Sequence, residues 1–228
     1  MTLKAKAVLA GALLFGSICP PANADDPTSL NQQVESARAQ NYSVFATFPI
    51  YNQILAISFP RGFVPVTQTT RGPSYLQESV QSGETAEQWT QMLSILGTQG
   101  AGLNPTVTVE RAKDFYVNRY RGSCPDTLAM IDLGDGGLAG HDARVVVVSC
   151  GSVPSASGSH SESMLLIVLK GTQDFYSIQW ATRGPASSVP LQLDRNEWTT
   201  RLRRLQPVKL CARVPGETAP YPSCIGKR

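Results

Sequence analysis

Two histidines are the whole supply of imidazole in this chain, and each stands beside groups it could work with. His160 lies between Ser159 and Ser161, and His141 is followed by Asp142. Acyl-transfer chemistry needs a hydroxyl nucleophile, a base in hydrogen-bond reach and a group to orient that base, and imidazole is the usual base. Ser159 or Ser161 with His160 and Asp142 is the set these residue types permit. No Gly-x-Ser-x-Gly turn accompanies it, and a Ser-rich loop holds reacting atoms poorly. Exposed, inert histidines are therefore expected, and no catalytic residue is assigned.

Asp132, Asp135 and Asp142 share one connection with Gly134, Gly136 and Gly137. Carboxylates this close in sequence could hold calcium or flank a glycosidic bond. The spacing does not follow an EF-hand loop and lacks its terminal Glu, whereas Asp and Gly are what a turn demands. The connection, with Asp135, His141 and Asp142, is read as a candidate interaction loop. No metal site and no cofactor fingerprint is assigned. Arg201, Arg203, Arg204, Lys209 and Arg213 form the densest basic stretch, read as the solvated face of a helix rather than a docking surface. Trp89, Trp198 and Tyr116 are read as core residues rather than a ligand-stacking box.

The first 24 residues carry an address. Lys4 and Lys6 precede an apolar run over residues 7–18, and Ala22-Asn23-Ala24 before Asp25 is the small-x-small pattern that signal peptidase cuts after. The run is too short to span a bilayer, which takes about 20 residues. The expectation is a periplasmic or secreted protein cleaved between Ala24 and Asp25, with no stable membrane insertion afterwards. All 17 acidic residues but only 18 of the 20 basic ones follow Ala24, so the formal charge falls from +3 to +1. Such a balance does not favour nucleic acid as partner.

Cys124, Cys150, Cys211 and Cys224 remain after the leader, an even number for an oxidising compartment. Four cysteines allow three pairings; locality favours Cys124 with Cys150 and Cys211 with Cys224. No Cys-x-x-Cys or close Cys/His spacing points to zinc.

The elements that must position these residues follow from periodicity. A polar linker over residues 25–41 precedes β-branched and aromatic runs at 42–48, 50–59, 63–70 and 75–80, which predict antiparallel strands. Thr85 with Gln88 resembles a capping box, and Trp89, Met92, Leu93 and Leu96 fall at helical spacing, predicting a helix that stops at Gly97. A second helix is predicted over 105–121, with Asn104 as cap and Val109, Ala112, Tyr116 and Tyr120 on one stripe. Strands at 127–133 with 144–149, and 164–170 with 174–182, read as hairpins. Residues 145–148 and 164–169 are apolar without alternation, which places them in the middle of the sheet. The segment between those strands, 151–163, predicts a mobile loop. Asp194 with Glu197 caps a third helix bearing Trp198, Leu202 and Leu205, and Pro207 ends it.

The phrase Ile57-Ser58-Phe59-Pro60-Arg61-Gly62-Phe63, the strand ending Glu78-Ser79-Val80, and Gly83-Glu84-Thr85 before Trp89-Thr90-Gln91-Met92 resemble secreted bacterial proteins of the PsbP-like and DcrB-like class. So does the run from Glu162-Ser163-Met164 through Lys170-Gly171 to Tyr176-Ser177-Ile178-Gln179. The resemblance implies an α-β-α sandwich and no shared catalytic residues. Together these readings predict an α+β domain over 42–206, a mostly antiparallel sheet covered by helices on both faces, with a disulfide-pinned tail over 207–228. The expected function is a non-enzymatic binding or assembly role in the bacterial envelope, with an envelope or secreted protein as partner. The alternative is an envelope hydrolase, or a hydrolase inhibitor or immunity-type protein.

Overall fold

Phe48, Ile50, Leu55 and Ile57 put apolar side chains on one face of the first hairpin, and that face is what the rest of the chain builds upon. The structure is a computed structural model and describes residues 44–138, 140–155 and 158–226. The hairpin consists of β1 (Val44–Ile50) and β2 (Gln53–Phe59), and β10 (Lys209–Ala212) joins the free side of β2 to make a three-stranded sheet. The larger sheet has seven strands: β3 (Phe63–Arg71), β4 (Ser74–Gln81), β5 (Gln91–Thr98), β6 (Leu128–Gly134), β7 (Asp142–Val153), β8 (His160–Lys170) and β9 (Phe175–Pro185). Its order is β3-β4-β5-β9-β8-β7-β6, antiparallel throughout.

Because β7 and β8 are inner strands buried on both faces, their apolar runs divide between two cores. Val145, Val147, Leu165 and Ile167 face the three-stranded sheet and α2 (Arg195–Leu205), which contributes Trp198, Leu202 and Leu205. Val146, Val148, Leu166 and Val168 face α1 (Val109–Ser123), which contributes Val109 and Val117. Each such side chain taken out of water contributes about 1.5–3 kcal/mol. The two sheets touch at Gly97, where an added Cβ would stand 2.6 Å from Ile50 Cγ2. The absence of a side chain there lets the first hairpin lie directly on β5.

The expected sheet with helices on both faces is corrected. One face carries α1; the other carries a second sheet, with α2 beside it. Two local readings account for the difference. The first hairpin departs from the sheet begun at β3 instead of extending it. The predicted helix over 85–97 is a turn followed by β5. Thr85 Oγ1 does accept from Gln88 N, at 3.1 Å, but the bond closes a turn and the chain then extends. Met92, Leu93, Ser94 and Ile95 are all buried, as befits a strand between two neighbours, and a short apolar run of this kind satisfies helical spacing equally well.

The second helix begins later than predicted. Thr108, not Asn104, is its cap, accepting from Arg111 N at 3.2 Å, while Asn104 Oδ1 turns the chain by accepting from Thr106 N at 2.9 Å. The third helix starts where expected, with Asp194 Oδ1 accepting from Asn196 N at 2.8 Å. Both predicted hairpins form, and β7 and β8 extend into the segment read as a loop, to Val153 and from His160. Cys124 is bonded to Cys150 and Cys211 to Cys224. The second link ties β10 to a short helix, α3 (Pro222–Ile225). The leader and the polar linker lie outside the described residues.

Candidate functional site

Alternate residues at the start of β8, His160 and Glu162, point to the same face as the Met164 and Leu166 that α1 covers. The β8–β9 register sets Glu162 opposite Arg183, and Arg183 Nε lies 3.4 Å from Glu162 Oε2. His160 Nε2 stands 3.7 Å from the same oxygen; it is buried and has no hydrogen-bond partner among the described residues. The other carboxylate oxygen, Oε1, accepts from Tyr120 OH on α1 at 2.8 Å. Glu162 is thus held from two sides, by Arg183 on β9 and Tyr120 on α1, with His160 of its own strand beside it.

The loop before β5 completes the arrangement. Arg183 N donates to Thr90 O at 2.9 Å, fixing that loop to β9, and the Arg183 guanidinium lies 3.7 Å from the centroid of the Trp89 ring. Trp89 in turn leans on the core beneath α1. An open cleft of about 780 Å³ results, lined by Glu84, Glu87, Trp89, Thr90, His160 and Arg183. Glu84 is engaged within its loop, accepting from Thr90 N at 3.0 Å, Thr90 Oγ1 at 2.5 Å and Gln81 N at 3.3 Å. Burial works to raise its carboxyl, but these hydrogen bonds outweigh burial and hold it below the ordinary carboxylate value.

The cleft is tied to a disulfide. Cys150 pairs with Glu162 across β7 and β8, and its partner Cys124 follows directly on the last turn of α1, four residues beyond Tyr120. Burial, then the charge and hydrogen bond of Glu162, push the Tyr120 phenol far above its ordinary value of 10.0. Burial and the charge of Asp174 act on Tyr176 in the same direction. A phenol whose pKa is raised on folding contributes stability that is complete below its unfolded value and is lost as pH rises through the folded one. Stability should therefore fall with rising pH above 10.0, and Tyr120→Phe should show a smaller loss there, read as the urea midpoint on either side of that pH. An unchanged alkaline slope would remove Tyr120 from this account.

The predicted interaction loop lies elsewhere and is fastened down. Asp135 Oδ1 accepts from Gly137 N at 2.9 Å, the ordinary carboxylate turn. His141 Nε2 is 3.2 Å from Val208 O, and Gln206 Nε2 donates to Gly136 O at 3.0 Å. Gly136 has φ +65, and an added Cβ there would meet Val145 Cγ2 at 2.5 Å, so the loop is seated against β7. Asp142 pairs with Lys170 at one end of the β7–β8 ladder, and His160 pairs with Val153 at the other. At about 3.3 Å per residue the two ends are roughly 30 Å apart, so Ser159 or Ser161, His160 and Asp142 are not brought together.

The basic stretch is not simply a solvated face. Arg201 lies 4.4 Å from the Trp198 ring and donates to Glu197 at 2.7 Å, Arg204 lies 5.3 Å from Trp180, and Arg213 donates to Tyr51 O at 3.1 Å. Among the described residues no group of three or more His, Cys, Asp or Glu side chains is placed to hold a metal ion.

Trp89, Tyr120, Glu162 and Arg183 were not singled out as site residues from the sequence. A signal existed for one pair: the turn joining Lys170 to Phe175, counted outward, places Glu162 opposite Arg183. Tyr120 and Trp89 arrive from separate elements.

No family model and no curated protein matches the chain. Among solved structures it is similar to a protein from Bacteroides thetaiotaomicron VPI-5482, with 11% identity and a TM-score of 0.32, over 73% of this chain and 47% of that one. The chain thus spans about half the length of that neighbour, and likeness at this level carries no argument about function. Two disulfides, and no helix among the described residues long and apolar enough to cross a membrane, fit an exported protein.

Proposed function

We propose that this protein is an exported binding protein of the bacterial envelope, cleaved after Ala24, and that its ligand site is the cleft between the 84–90 loop, the first residues of β8 and the last residues of β9. The observation that carries the reading is the Arg183 guanidinium laid 3.7 Å from the Trp89 centroid inside a cleft of about 780 Å³. A cation stacked on an indole is positioned before any ligand arrives, and recognition by a fixed side chain loses less freedom than recognition by a mobile one. Oxidation of the four cysteines that follow Ala24 is in keeping with export.

The reading is tested with a photo-reactive amino acid at Gln88, which lines the cleft, and at Arg203, exposed on α2, in cells making the full chain. An adduct in the periplasmic fraction from position 88 and none from position 203 is expected. Retention of the whole chain in the cytoplasm, or equal labelling from both positions, would overturn the reading.

A further inference from the structure

We infer that the cleft takes a peptide carboxylate, supplied by a chain end or an acidic side chain, and that the terminal N–H groups of Arg183 are its anchor. The inference rests on the binding reading above and specifies its ligand. Arg183 uses Nε toward Glu162, and among the described residues Nη1 reaches only Glu87 O, at 3.5 Å. The guanidinium edge formed by Nη1 and Nη2 is therefore the part with donors to spare. Glu162 pairs at Nε and offsets part of the guanidinium charge, but its oxygens, turned to Tyr120, Arg183 Nε and the His160 side, leave the donors of that edge uncovered. A planar guanidinium offers two parallel N–H groups that match a carboxylate, and it is weakly hydrated enough to give up water at modest cost. Trp89 beneath it fixes the plane in which that carboxylate must lie.

Charge at the mouth narrows the ligand further. Glu84 and Glu87 line the same cleft, and Glu87 is exposed. Two carboxylates near a single available cation disfavour a dianion such as phosphate more than a monoanion, a discrimination by repulsion. The same Glu87 can receive an amide or ammonium group of the ligand. A peptide has both a carboxylate and such donors; an inorganic anion does not.

Three blocked tripeptides separate the alternatives by calorimetry on the disulfide-intact protein: N-acetyl-trialanine with a free C-terminus, its C-terminal amide, and N-acetyl-Ala-Glu-Ala amide. The free-end peptide, the Glu peptide or both should bind at least about tenfold more tightly than the neutral amide, as a charge-assisted bidentate contact predicts. Which of the two binds assigns the source of the carboxylate. Arg183→Lys should lose about tenfold, since it keeps the charge and gives up the fork. Glu87→Gln, at an exposed position, should admit inorganic phosphate that the unaltered protein refuses. Equal binding of all three peptides, or none at about 10 mM, would overturn the inference. Labelling from Gln88 with no carboxylate preference would mean that the ligand class is wrong while the binding reading stands.

Discussion

Asp174→Ala lowers the folding stability by about 3–5 kcal/mol, because it removes several hydrogen bonds to one charged group, each of which contributes about 1.5–3 kcal/mol when considered alone. The carboxylate is fully buried and accepts four hydrogen bonds: from Asn52 N at 2.9 Å, Asn52 Nδ2 at 3.2 Å, Gly100 N at 2.9 Å and Tyr176 OH at 3.3 Å. Those donors belong to three places far apart in sequence: the β1–β2 turn, the exit from β5 and the start of β9. One side chain thus joins the three-stranded sheet to the seven-stranded one at the end where Gly97 lets them touch. Removing it leaves the backbone N–H groups of Asn52 and Gly100, whose bonds to it are partly buried, without their acceptor, and each such loss costs up to about 1–3 kcal/mol. Asp174→Asn keeps the volume and half the acceptor capacity, but it aims an amide NH₂ at donors and should fall between wild type and the alanine variant. For a domain of this size a loss of 1 kcal/mol lowers Tm by about 2–4 °C, so the alanine variant should melt about 10 °C lower. Urea unfolding followed by circular dichroism measures the difference. Asp135→Ala, whose carboxylate meets Gly137 N in an exposed turn, serves as the comparison and should cost less than about 1 kcal/mol. Similar losses for the two variants would show that Asp174 does not join the sheets.

What could be read from residues alone depended on whether a neighbour in sequence was also a neighbour in space. Asp194 caps its own helix, the four cysteines pair with the nearest partner, and the turn after Lys170 sets the whole β8–β9 ladder, so each of these was legible. β5 was not, because Trp89, Met92, Leu93 and Leu96 fit a helical stripe, and only burial by β4 and β9 on either side decides for a strand. β10 was missed for a related reason. Four residues, Lys209 to Ala212, carry no period, and they become a strand because β2 offers a free edge and Cys211 is tied to Cys224. The candidate site follows the same division. Glu162 and Arg183 share a ladder that can be counted from the turn, whereas Tyr120 reaches Glu162 from a helix 42 positions earlier in the chain. The His141 and Asp142 loop attracted notice through residue type, and tertiary contacts with Val208 and Gln206 turn it into a brace.

Replacing Cys124 and Cys150 together by alanine should cost more than replacing Cys211 and Cys224, and it alone should loosen the cleft. The first link spans 26 positions and the second 13. Closing the longer loop removes more freedom from the unfolded chain, and loop-closure arithmetic gives about 3.5 and about 3 kcal/mol respectively. The energies differ little; the locations differ a great deal. Cys124 and Cys150 are both buried, and their bond clamps the end of α1 to β7 directly opposite Glu162. Without it the last turn of α1 keeps its own helical bonds, the packing of Tyr120 on the core beneath the helix and the Tyr120 contact with Glu162. A freed turn withdraws the Tyr120 hydroxyl, Glu162 loses one of its two hydrogen-bonded supports, and the Arg183 guanidinium stacked on Trp89 is no longer held from that side. Amide exchange should therefore accelerate over residues 118–124 and in the 84–90 loop of the first variant, at denaturant concentrations below global unfolding. The second variant should leave both segments protected and release β10 from β2 instead, since Cys211 and Cys224 join β10 to α3 on the far side of the small sheet. If both variants exchange alike across 84–90, the disulfide does not support the cleft, and the Tyr120–Glu162 contact stands without help from the bond beside it.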